Sequence, residues 1–320
     1  MATRHIPGGR DGRPRHHAST PALDAAQAYD CAGGAYCRYA DDTERGLFAF
    51  GGRYDYADRA LWARIEAALV ALRTRRRHAI RILDLGCGPG TWLLRTVQRA
   101  RELGFTAIEA RGIDPSPEMI AFAHVAARSL ADPAIGVEFA VTDLETALAE
   151  EEDASCDLVM CLYGVLNHVP TSAHAAAAAA MARVARDTVI ATVRAAGSLP
   201  TIYVAGIEAA TRFRQDNERD RMEVDLTDGR HIEFGSHLFR AAELRALFAG
   251  DCTIGEVTGL DIFHSRFADH PDWNPPGIRN GATDHRLDRL ERLCADDEVL
   301  IDSAAHILLV AHPRHRSAGD

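Results

Sequence analysis

The 320-residue chain contains no lysine; all 36 of its basic residues are arginine. Without lysine there is no Walker-type phosphate-binding side chain, no pyridoxal Schiff base and no protein-kinase strand lysine. Net positive charge is also missing. The 46 acidic residues leave a formal charge of −10, a poor bulk match for polyphosphate, so nucleic acid is not expected as a partner. The seven cysteines (31, 37, 87, 156, 161, 252, 294) are odd in number and include no CxxC pair. They read as reduced thiols of a cytoplasmic protein, and neither a disulfide framework nor a metal site is expected. No run approaches the ~18 apolar residues of a membrane span. The alanines 175–180 are too few and too weakly hydrophobic to anchor, and residues 1–21 lack the apolar segment of a secretory signal.

What is present suffices for a full core without staples. Residues 1–20 read as a disordered N-terminus, and 21–56, rich in aromatics and glycine with weak periodicity, as a cap. Leu61, Ile65, Leu69 and Leu72 then repeat at helical spacing. The helix ends in a basic cluster, Arg73, Arg75, Arg76, Arg77 and His78, whose plain reading is a solvated C-terminus favoured by the helix dipole.

Between Ile80 and Arg194 the chain alternates. Short apolar runs at Ile80–Leu85, Ala107–Ile113, Val137–Val141, Cys156–Leu162 and Thr188–Arg194 are separated by helical segments. One of these helices has Ser116 as its N-cap and Pro117 at its first position. Such alternation predicts an α/β fold around a mostly parallel, doubly wound sheet with right-handed crossovers. Residues 200–218 read as a helix, and 222–234 as a hairpin turning at Asp228-Gly229. A helix at 241–248, a strand at 253–260, a helix at 284–294 and a last strand at 306–310 follow. The expected division is a core over 57–199, a lid over 200–238, the remainder of the core sheet over 239–313 and a tail over 314–320.

The densest signal is Asp84-Leu85-Gly86-Cys87-Gly88-Pro89-Gly90-Thr91, a strand ending in a glycine turn that opens a helix. Glycines there let a ligand lie against bare backbone. A dinucleotide fingerprint would place a third glycine where Thr91 stands. Asp84, two residues before Gly86, suits a cationic ligand end better than a pyrophosphate.

These residues resemble the first motif of the class I S-adenosylmethionine (SAM) dependent methyltransferases. The similarity spans about residues 60–195 and, more loosely, 240–312. It implies SAM as cofactor and a Rossmann-like seven-stranded sheet. It also implies cofactor contacts from Asp84, Gly86, Cys87, Gly88 and Gly90, and from Asp114 with Pro115 at the ribose hydroxyls. Asp143 and Leu144 would meet the adenine, and Cys161, at the end of the fourth strand, the methionine part. A carboxylate fits a vicinal diol because each oxygen can accept one hydroxyl. Tyr36 would close over the SAM carboxylate, as in the Tyr-rich N-terminal helix of small-molecule members.

In the family, the segment after the fourth strand faces the acceptor. Here it holds His168, the candidate general base, whose titration near ~6.5 would shape the rate if unperturbed. Arg194, His264 and Arg266 are candidate substrate contacts. Asn274-Pro275-Pro276 lacks an aromatic and lies far from that strand, so it reads as a turn, not as the motif of nucleic-acid amino methylases. The expected function is methyl transfer to a small molecule. Alternatives are a tRNA or protein methylase using the Arg73–Arg81 cluster, or a non-catalytic SAM-binding module.

Overall fold

The computed structural model describes residues 25–27, 30, 47–48, 50, 54–198, 210–226, 229, 231–267 and 281–315. Helix α1 (Asp55–Thr74) buries Ala57, Leu61, Ile65, Leu69 and Leu72, one stripe at the helical period. Five strand–helix units follow: β1 (Ala79–Leu85), α2 (Thr91–Glu102), β2 (Ala107–Asp114), α3 (Pro117–Ala127), β3 (Ile135–Val141), α4 (Leu144–Glu150), β4 (Cys156–Cys161), the short α5 (Val165–His168), α6 (His174–Val184) and β5 (Ala185–Arg194). Ser116 caps α3, its side chain accepting from the Met119 N–H at 3.1 Å. The alanine run forms α6, which presses Ala177, Ala178, Met181 and Ala182 into the core.

Past β5 come β6 (Ala210–Asp216), β7 (Arg221–Leu226), β8 (His231–Gly235), α7 (Ala241–Ala249), β9 (Cys252–Leu260), α8 (His264–Phe267), α9 (Gly281–Cys294), α10 (Glu298–Ile301) and β10 (His306–Pro313). The main sheet runs β3-β2-β1-β4-β5-β10-β9. Strands β1 to β5 are parallel, while β10 is antiparallel to both β5 and β9. This is the Rossmann-like doubly wound sheet that the alternation predicts. One core, with α1, α2 and α3, covers one face; the other, with α4, α6 and α7, covers the opposite face.

Strands β6, β7 and β8 form a separate antiparallel sheet. The expected helix over 200–218 is therefore corrected: Ala210–Asp216 is a strand, paired with β7 from Ala210↔Leu226 to Asp216↔Arg221. The expected hairpin is present as β7 and β8, and Gly229 takes φ 85° in its turn. Asn167, fully buried, ties this sheet's exit to the core. Its Nδ2 donates to the carbonyls of Arg194 (3.2 Å) and His237 (2.5 Å), and its Oδ1 accepts from the Arg194 N–H at 2.9 Å.

Candidate active site

All the parallel strands present their C-terminal ends to one edge, where open α/β sheets bind ligands. The turn after β1 is built for a close approach. Gly86 sits at φ 68°, and a Cβ there would overlap the Val165 side chain; Gly90, at φ 81°, opens α2. Asp114 ends β2 and braces the turn, accepting from the Gly88 N–H and the Ser116 N–H, each at 2.9 Å. Its carboxylate oxygens retain lone pairs for a diol. Burial, first of all, pushes its carboxyl above the usual range.

Asp84 is 2 % exposed, and among the described residues none donates a hydrogen bond to it. Burial, with the Asp114 charge adding to it, pushes its carboxyl up to about 8. Such a group is satisfied most directly by a cation brought by a ligand. Cys87, whose thiol burial pushes far up, and Cys161, pushed up for the same reason, are unreactive apolar packing residues.

A cavity of about 620 Å³ opens at this edge, within the ~300–1,000 Å³ of ligand clefts. Gly86, Gly88, Asp114, Pro115, Asp143 and Leu144 line it, as do Tyr163, His168 and residues of α6. Asp143 also caps α4, accepting from the Thr146 N–H at 2.8 Å and the Thr146 hydroxyl at 2.9 Å. Those backbone and hydroxyl donors hold its carboxyl low. Asp84, Cys87, Gly90 and Cys161 stand behind the lining.

His168 reaches the cavity, with Nδ1 2.9 Å from the Gly235 carbonyl. A carbonyl can only accept, so the proton sits on Nδ1 and Nε2 carries the lone pair. Burial holds this imidazole down to about 4, with Arg194 pushing the same way. The titration expected near 6.5 is thereby displaced downward, and His168 is neutral throughout the neutral range.

The other predicted contacts fall elsewhere. Arg194 is buried at the end of β5, its guanidinium 3.4 Å from Ser198 Oγ, and does not line the cavity. His264 is buried against Asp288 (2.7 Å) and stacks on Tyr56. Arg266 donates to the carbonyls of Gly197 (3.0 Å) and Ser303 (2.6 Å). The last two hold loops together and are not brought to the cavity. Tyr36 lies outside the described residues, as does Asn274-Pro275-Pro276.

Sequence reasoning passed over Tyr163 and Asp58. Tyr163 follows β4 at φ 53°, an outlier for a bulky residue, and lines the cavity. Its hydroxyl donates to Asp58 of α1, whose carboxyl burial pushes up to about 6. Tyr54, Trp92 and His306 pack around the Tyr163 ring. The available signal was its place directly after the fourth strand; Asp58, more than a hundred residues away, gave none.

A family model described as a methyltransferase domain matches residues 82–188. A comparison with curated proteins returned no match. Among solved structures, a SAM-dependent methyltransferase from Clostridium acetobutylicum is similar over 90% of this chain and 100% of its own, at 11% identity and a TM-score of 0.50. The SAH-bound magnesium protoporphyrin IX methyltransferase of Synechocystis is similar over 90% of this chain and 95% of its own, at 14% identity and a TM-score of 0.49. Residues 82–188 match a methyltransferase domain, and the sheet and helices around them share the fold of the SAM-dependent methyltransferase from Clostridium acetobutylicum.

Proposed function

We propose that this enzyme methylates a small molecule at an oxygen, nitrogen or sulfur, with the acceptor held where Tyr163 and His168 follow β4. The observation that carries this reading is the walled cavity lined by the glycine turn, Asp114 and these two side chains. When bound, SAM supplies an electrophilic methyl on a sulfonium. The bare turn at Gly86 and Gly88, the acceptor oxygens of Asp114 and the buried Asp84 are the parts that fit it. Asp114 would hold the ribose hydroxyls, Asp143 and Leu144 the adenine, and Asp84 the cationic amino end. Alignment of an in-line displacement alone can supply ~7–11 kcal/mol. His168 Nε2 would accept a proton from a hydroxyl or ammonium acceptor as it reacts, while Nδ1–H stays on the Gly235 carbonyl.

The basic cluster supports the small acceptor over a nucleic acid. Arg77 pairs with Asp157 at 2.7 Å, Arg75 with Asp187 at 2.6 Å, and Arg81 with Glu109 and Glu151, each at 3.1 Å. These arginines sit before or at the start of β1, the opposite end of that strand from Gly86. They are committed to the protein's own carboxylates and face away from the cavity. Incubation with SAM and a library of phenols, amines, carboxylates and thiols, read by mass spectrometry, should show one acceptor gaining a single methyl. Methylation of bulk tRNA or protein with no small acceptor in the library or a cell extract would reverse the assignment.

A further inference from the structure

His174 opens α6, His237 lies just past β8, and Glu243 stands in the first turn of α7. Each offers a ligand atom, and these atoms all lie within 4.8 Å of one another. The imidazoles are held from behind. His174 Nε2 is 3.0 Å from the Leu166 carbonyl and 2.8 Å from the Val169 carbonyl. Two acceptors fix the proton on Nε2 and leave Nδ1 as a lone pair. That Nδ1 is buried with no hydrogen-bond partner, on a side chain 2 % exposed, a state that is costly if nothing fills it. His237 Nδ1 lies 2.9 Å from Asp220 Oδ1, and the same carboxylate accepts from the Thr171 hydroxyl at 2.9 Å. The other nitrogen, Nε2, faces Glu243 Oε1 at 2.8 Å. A carboxylate behind a histidine and a lone pair ahead of it is the arrangement that orients imidazole toward a metal.

We propose that His174 Nδ1, His237 Nε2 and the Glu243 carboxylate bind a divalent transition-metal ion of the zinc type, with water completing the shell. Two imidazoles and one carboxylate match the ligand preference of Zn²⁺. Bonds of ~2.0–2.2 Å need the ligand atoms roughly 3.3–3.5 Å apart, which small side-chain rotations supply.

The ion would act as a clamp. Its ligands come from the segment after β4, the exit of the three-stranded sheet, and α7. His174 bonds the carbonyls on either side of His168 in sequence, and His168 bonds Gly235, two residues before His237. Fixing His174 to His237 therefore fixes the lid's exit against the loop that carries the candidate base. The expectation of no metal site rested on the scattered cysteines and the lack of a CxxC pair; His174 and His237 meet only through the fold.

The test uses the full chain, purified, stripped with chelator and titrated with Zn²⁺ and Co²⁺. One equivalent should be retained after desalting, and Co²⁺ should give visible d–d absorption without a thiolate charge-transfer band. Metal should also raise the melting temperature. Glu243→Gln and His237→Asn should each weaken binding at least 100-fold. Asp220→Asn should weaken it 10- to 100-fold, with the SAM-induced thermal shift retained as the sign of an intact fold. Should a variant fail to fold, the stoichiometry and Co²⁺ spectrum of the unaltered chain decide. Sub-stoichiometric metal, a thiolate band, or equal retention by Glu243→Gln would overturn the proposal. The trio would then be a protonated His237 held between Asp220 and Glu243.

Discussion

At the N-terminal edge of the parallel strands, Asp157 is buried and receives Arg77 at 2.7 Å and Arg186 at 2.9 Å. At the C-terminal edge Asp84 is as deeply buried, yet no described residue pairs with it. Asp58 of α1 differs from both: it accepts from the Tyr163 hydroxyl, and burial pushes its carboxyl up to about 6. Glu151, at the N-terminal edge, takes Arg81 at 3.1 Å and Arg111 at 3.0 Å. One edge spends its arginines closing the fold. The other leaves Asp84 in low dielectric with no cation among the described residues beside it, where an incoming cation would complete it.

Four measurements would break or sharpen this contrast. The largest effect is expected from His168→Ala, which should lower turnover ~10²–10⁴-fold while SAM affinity stays within a few-fold. At saturating SAM the unaltered enzyme should show a flat rate from pH 6 to 9, because burial holds this imidazole down to about 4. A rate that climbs through pH 6.5 would remove His168 as the base. Next, Asp114→Ala should cost roughly 2–3 kcal/mol of SAM affinity, read by calorimetry.

Smaller is the pH linkage of Asp84. Its carboxyl stands near 8 in the empty fold, far above its unfolded value of 3.8, so the neutral form is the one the fold favours. Stability of the empty protein should therefore decline as pH rises from about 4 to 8. A ligand ammonium reverses the preference, so SAM binding should release a proton below pH 8. Affinity should then rise toward a plateau by up to tenfold per pH unit. Calorimetry in buffers of different ionisation enthalpy counts that proton; no release would uncouple Asp84 from the ligand. Smallest is Arg77→Ala at the opposite edge. With Arg186 still on Asp157 and Arg77 itself half exposed, it should cost at most ~1 kcal/mol of stability and leave SAM affinity unchanged.

How much of this was legible in the chain divides along the same lines as the contacts. Local features read well: the Ser116 cap, the Gly86–Gly90 turn and the helical stripe from Leu61 to Leu72 each depend on neighbours within a few residues. Strand β6 was misread because Thr211–Gln215 are committed to a strand by pairing with β7, not by their own pattern. His264 and Arg266 looked like loop cations free for a substrate, but Asp288 and the Gly197 and Ser303 carbonyls, far off in sequence, take them. Tyr163 reaching Asp58, and His174 reaching His237, are invisible for the same reason. Only the closed sheet brings them together.

The antiparallel strand β10 has a consequence for how the molecule is made. It lies between β5 and β9, registering Leu308 with Thr192 on one side and with Thr258 on the other. During synthesis β9 emerges before β10, so until residues 306–313 arrive, β5 and β9 both present unpaired backbone. Such long-range closure is slow relative to helix formation, and a nascent chain halted before His306 would expose two strand edges open to pairing with other chains. Folding assays on ribosome-tethered chains should therefore show protease resistance of the β1–β5 half first, with β9 protected only after Pro313 has cleared the exit tunnel.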